Sequence, residues 1–224
     1  MLSVTAKPYA FEFELPTTAF IIIDMQRDFL EPGGFGELLG NDVSLLRSAI
    51  APTQKVLETV RQLEMLVIHT REGHRGDLAD LPPAKKARGH PGCGIGDVGP
   101  MGRVLIRGEV GHGIIDELKP YPGEPIIDKP GKGSFYATDL EAILQNHGIK
   151  RLIVAGVTTE VCVHTTVREA NDRGFECLVL TDCVASYFPE FQRVALEMIA
   201  AQGGIFGWTA SSIALCEALT QGNL

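Results

Sequence analysis

Basic charge is in short supply in this sequence. Its 224 residues carry 20 Lys and Arg against 28 Asp and Glu, for a formal net charge of -8. A nucleic-acid footprint needs a basic patch, so no nucleic-acid partner is expected. Paired cysteines are also missing. Cys93, Cys162, Cys177, Cys183 and Cys216 are odd in number, scattered, and nowhere in Cys-x-x-Cys spacing. That argues against a disulfide framework and points to reduced thiols. No apolar run approaches membrane-spanning length, and Glu12 and Glu14 fall where a signal peptide would be apolar. The expectation is a cytoplasmic protein with no membrane partner. Zinc spacing is absent around His90, Cys93 and His112, and residues 129–136 (KPGKGSFY) lack the order of a phosphate-binding loop. Neither a metal nor a cofactor is expected. With no repeat, linker or low-complexity tract, residues 1–224 read as one domain, with a core over about 19–219.

What is present is a regular alternation of elements. Residues 19–25 (AFIIIDM) are a continuous apolar run closed by an acid, which predicts a strand buried on both faces. Short strands are also predicted at 65–69, 124–129, 151–155, 175–181 and 205–208. Helices are predicted from 42 or 44 to about 63, from 138 or 139 to 147, from 159 onward, over 189–202 and over 211–219. Six strands alternating with helices imply an α/β fold: an open, mainly parallel six-stranded sheet with helices on both faces. Residues 82–113, rich in Gly and Pro, are predicted as a long loop.

Chemistry gathers at the strand ends. Residues 151–162 run from a strand through Gly156 into a helix that Thr159 is expected to cap, which puts Cys162 in the first helical turn. Free N–H groups and the helix dipole there favour thiolate and suit an oxyanion. Asp24 closes one predicted strand and Lys129 closes another. Parallel strands deliver their carboxyl ends to one edge, so a nucleophile, a base and an electrostatic partner can converge there. Residues 70–80 (TREGHRGDLAD) are dense in charge after a strand end, making Arg71, Glu72, His74 and Arg75 candidates beside the reading of a solvated loop.

Three segments resemble the cysteine hydrolases of the isochorismatase-like family: 23–29 (IDMQRDF), Asp128-Lys129, and 156–163 (GVTTEVCV). The likeness runs from about Phe20 to Trp208. It implies an Asp24, Lys129 and Cys162 triad. It also implies a cis peptide between Val157 and Thr158 that turns the Thr158 N–H toward an oxyanion, beside the Cys162 N–H. Within the family, 69–78 (HTREGHRGDL), 95–97 and 99–103 (GPMGR) look most like the biuret and triuret hydrolases, with ureidoacrylate amidohydrolases next. That likeness implies an amidohydrolase that cleaves a terminal C–N bond of a small linear urea-type compound. Ammonia would leave and a thioester-type acyl-enzyme would form. It sets Gln202 against a substrate carbonyl and Phe29 in the pocket wall, and leaves Glu72 and Tyr187 to accept from substrate N–H groups. The Asp-x-His metal motif of nicotinamidases is missing, and isochorismatases proper lack the cysteine. Two alternatives stay open. One is another N-carbamoyl amide, its carboxylate clamped by Arg71, Arg75 or Arg107. The other is a non-catalytic binding or assembly protein of the same fold. Family members commonly form dimers or tetramers, which implies a homo-oligomer acting on a small molecule.

Overall fold

The structure, a computed structural model, describes residues 1–88 and 91–221. The main sheet comprises β1 (Thr18–Ile23), β2 (Leu66–Glu72), β3 (Ile126–Lys129), β4 (Arg151–Val157), β5 (Glu176–Ala185) and β6 (Trp208–Ala210). Its order is β6-β5-β4-β1-β2-β3, and every neighbouring pair is parallel. The order runs outward in two directions from β1 and β4. That makes the seam between them the switch point of a doubly wound sheet, where a crevice opens at the carboxyl ends of the strands.

Five helices pack on the sheet: α1 (Ile50–Gln62), α2 (Leu140–Asn146), α3 (His164–Asp172), α4 (Pro189–Gly204) and α5 (Ser212–Gln221). Every residue of β1 is buried, and the reason is its two-sided cover. Phe20 and Ile22 enter one core with Val56 and Val60 of α1 and Leu215 and Leu219 of α5. Ala19, Ile21 and Ile23 enter a second core with Leu144 of α2, Val167 of α3 and Ile199 of α4. Alternate side chains of a strand face opposite ways, so one apolar run feeds both layers. Each fully buried Ile or Phe stabilises the sheet by about 1.5–3 kcal/mol relative to exposure.

The helix predicted over 42–63 is two pieces, Ser44–Arg47 and Ile50–Gln62. Pro52 lies in the first turn of α1, where its missing N–H costs no helix hydrogen bond. The last strand lies at Trp208–Ala210 instead of 205–208, because Gly207 at φ 145° ends the preceding turn. An antiparallel pair, Leu2–Val4 with Phe11–Phe13, was not predicted, and three-residue strands are too short to show a period. The 82–113 stretch carries a short helix, Pro83–Lys86, and a small hairpin of Val98–Gly99 with Gly102–Arg103. No helix among the described residues is long and apolar enough to cross a membrane.

Candidate active site

β4 approaches β1 closely where β1 ends. A Cβ on Gly156 would collide with the Ile23 carbonyl oxygen, and the residue's φ of 117° also favours glycine. The Val157–Thr158 peptide that follows is cis. The chain then makes a wide π turn, Thr159–Val163, before α3 begins. Turns of this kind recur at functional sites. Cys162 lies in this turn. Thr159 does not cap it: Thr158 holds the cap position without a side-chain bond, and the Thr159 hydroxyl donates to Gln192 Oε1 of α4.

Asp24 follows β1 at φ 51°, a left-handed conformation uncommon outside glycine. The Thr70 hydroxyl donates to Asp24 Oδ1 at 2.7 Å, and Lys129 Nζ lies 2.7 Å from Oδ2. Lys129 arrives from β3, beyond β2, and also donates to the carbonyls of Gly131 at 3.1 Å and Lys132 at 2.9 Å. In the sheet register Glu72 is the partner of Lys129, so both reach the same place. One side-chain oxygen of Asp24, one of Glu72 and the Cys162 sulfur lie within 4.8 Å of one another. Asp24, Glu72 and Lys129 are fully buried and Cys162 is 4% exposed. The cluster thus unites Asp24, Lys129 and Cys162, with Glu72 as a fourth member.

Charge in this cluster is held by lysines. Burial would push the Glu72 carboxyl up, but Lys132, Lys129 and Lys85 outweigh it and hold the group at about 2. Lys132 Nζ donates to both Glu72 oxygens at 2.8 and 3.0 Å, and Lys85 Nζ to one at 3.1 Å. Burial opposes the Lys129 ammonium, yet Asp24, Cys162 and Glu72 together raise it above its ordinary value. For Cys162 the balance goes the other way. Burial pushes the thiol well up, Asp24 and Glu72 add to this, and the pull of Lys129 and Lys132 does not win. Desolvation outweighs the pull toward thiolate that the helix start and the ammonium exert. Lys129 thus pairs with one oxygen of Asp24 and Lys132 with both oxygens of Glu72. His112 is buried with Nε2 3.5 Å from Asp128, while His90 lies outside the described residues.

Cys162 opens on a cavity of about 230 Å³ whose wall includes Phe29, Phe35, Glu72, Lys132, Glu160 and Tyr187. Phe29 and Tyr187 are joined there, the Tyr187 hydroxyl donating to the Phe29 carbonyl at 2.7 Å. Gln202 is not on this wall. It is exposed, at φ 52° in the non-helical end of α4. A helix linking two parallel strands runs back along the sheet, so the end of α4 lies at the edge opposite Cys162. The position against the substrate implied by the resemblance is corrected accordingly. The three candidate arginines are also engaged elsewhere: Arg71 with Asp128 at 2.7 Å, Arg75 with Asp77 at 3.1 Å, and Arg107 with Asp80 at 3.3 Å. Lys132, Lys85 and Glu160 were not singled out from the sequence as site residues. Lys132 carried one signal, its place three residues after Lys129. Glu160 sits two residues before Cys162. Lys85 had none, because it comes from the 82–113 stretch, whose path no local pattern sets.

A family model described as Isochorismatase domain matches residues 18–211. The chain is similar to a cysteine hydrolase from Pseudomonas syringae pv. phaseolicola, at 26% identity over 94% of this chain and 96% of that one, with a TM-score of 0.80. It shares its fold with an isochorismatase family protein from Desulfovibrio vulgaris, 24% identical over 91% of this chain and 98% of that one, TM-score 0.75. It also shares its fold with an N-carbamoylsarcosine amidase from Thermoplasma acidophilum, 22% identical over 88% of this chain and 96% of that one, TM-score 0.66. The matched span takes in all the strands of the main sheet together with Asp24, Lys129 and Cys162, and the chain belongs to the isochorismatase family.

Proposed function

We propose that this chain hydrolyses the terminal C–N bond of a small, linear urea-type amide, with biuret and triuret as first candidates. One observation carries the reading: a buried thiol faces a cavity of about 230 Å³ with the Asp24 carboxylate within 4.8 Å and Lys129 bound to that carboxylate. Burial raises the thiol, and its proton moves to Asp24 as sulfur attacks the carbonyl carbon. The backbone N–H groups of Thr158 and Cys162 hold the oxyanion. Asp24 returns the proton to the departing nitrogen, ammonia leaves, and an acyl group remains on sulfur. Water then gives a proton to Asp24 and its oxygen to the acyl carbon. The carboxylated product leaves, and the sulfur recovers the proton. Lys129 stays charged throughout and offsets whichever of Asp24 and Cys162 is anionic. A second reading, an N-carbamoyl acid, rests on Lys132 as the ammonium of the cavity wall.

Ammonia release from biuret, triuret, ureidoacrylate, N-carbamoyl amino acids and nicotinamide tests the assignment. Biuret or triuret should lead the panel. Cys162→Ser should lose more than a hundredfold in kcat, a rise of about 3 kcal/mol in the barrier. Turnover of nicotinamide alone, or a serine variant that keeps more than a hundredth of the rate, would refute it.

A further inference from the structure

The cavity wall holds two carboxylates in opposite states. Glu72 accepts from Lys132 and Lys85. Glu160 has no such partner: its Oε2 is buried without a hydrogen bond, and among the described residues no Lys, Arg or His pairs with it. Tyr187, on the same wall, cannot supply the missing proton, because its hydroxyl donates to the Phe29 carbonyl. Leaving a buried acceptor without a donor is costly, so a molecule that fills the cavity is favoured if it brings N–H groups to Glu160. Phe29 and Phe35, edge to face at 6.4 Å, and Phe188 also line the space, and the Lys132 ammonium on the same wall is taken up by both Glu72 oxygens. Aromatic walls with one unsatisfied carboxylate suit a planar group rich in N–H and oppose a second carboxylate.

We propose that Glu160 selects the far end of the substrate, accepting the distal N–H groups of a ureide and rejecting a carboxylate at that position. The inference rests on the amide-hydrolase reading and narrows it to uncharged ureides. Glu160 lies two residues from Cys162 on one turn and lines the same cavity, within the span of a short molecule attacked at one carbonyl. Biuret and N-carbamoylglycine discriminate well. They share a terminal carbamoyl group and similar length, and differ in ending on an amide or a carboxylate.

The experiment compares kcat/KM for these two compounds in the wild type and in Glu160→Gln, which keeps the shape and removes the charge. Biuret should fall at least tenfold and N-carbamoylglycine rise at least tenfold, moving their ratio a hundredfold. The rate of Cys162 alkylation by iodoacetamide should stay within twofold, showing that the fold and the nucleophile are intact. An unchanged ratio with biuret still turned over would overturn the role of Glu160 and leave the amide chemistry standing. If the wild type hydrolyses neither of these nor any other amide of the panel, the amide reading fails, and protection of Cys162 from iodoacetamide decides on Glu160. Protection by biuret that disappears in Glu160→Gln supports recognition by the carboxylate. Equal protection in both, or none in either, overturns it.

Discussion

Replacing Lys129 by Met removes one positive charge from a sealed site while nearly keeping the volume. The ammonium makes an ion pair of 2.7 Å with Asp24 and donates to two carbonyls, all without solvent contact. Removing one member of a buried pair strands the other, at a cost of about 3–5 kcal/mol. Asp24 would keep the Thr70 hydroxyl at 2.7 Å as its side-chain donor. Stability from urea denaturation should therefore drop by about 3–5 kcal/mol at pH 7. Adding Asp24→Asn should restore part of the loss, since the double variant buries no orphaned ion. The same change should move the pH profile of Cys162 alkylation upward, as the cation that opposes desolvation is gone. A loss below about 1 kcal/mol, or a double variant no better than the single, would refute the electrostatic account of Lys129. An unmoved alkylation profile would show that Lys129 does not act on the sulfur.

Gln202→Gly should keep kcat/KM for biuret within twofold, since the side chain is exposed away from the cavity, and should stabilise the chain by up to about 1 kcal/mol by relieving φ 52°; a tenfold loss of turnover would return Gln202 to the substrate. Stability should also fall between pH 7 and pH 5. Burial, aided by Arg71, lowers His112 from 6.5 to about 4, and burial lowers His69, His74 and His164 as well. Each of these binds a proton more readily when unfolded, so the contribution is full above about 6.5 and lost as pH falls, roughly 2 kcal/mol by pH 5 for His112 alone. Urea midpoints that coincide at the two pH values would contradict this.

What could be read from the sequence was local. An unbroken apolar run at 19–23 and a short β-branched and apolar run at 151–155 each have one explanation in a doubly wound sheet, and they bring Asp24 and Cys162 to the switch point. Lys129 was legible because it ends a strand. The state of the Cys162 thiol was not, since desolvation depends on what the whole chain packs around the sulfur. Gln202 misled for a related reason: likeness to a motif gives no direction for a helix, and α4 carries that residue away from the site. Glu160 stood inside the most conspicuous segment, yet only its buried Oε2, without a hydrogen-bond partner among the described residues, marks it. Lys85 reaches Glu72 from the short Pro83–Lys86 helix, and no periodicity could have linked the two.

β3 is four residues long and is bonded within the sheet on one side only, to β2. Edge strands with a single ladder are among the first parts of a fold to open. The ammonium that offsets Asp24 and Glu72 rides on this strand, whereas the sulfur and Asp24 are anchored at the centre of the sheet. Fraying of one short ladder would withdraw the cation and leave Asp24 without its ion pair beside the thiol, with β1, β4 and β5 still paired. The edge works as a fuse. Mild heat or denaturant should extinguish the chemistry well before the molecule unfolds, and cooling should bring it back as soon as four residues re-dock.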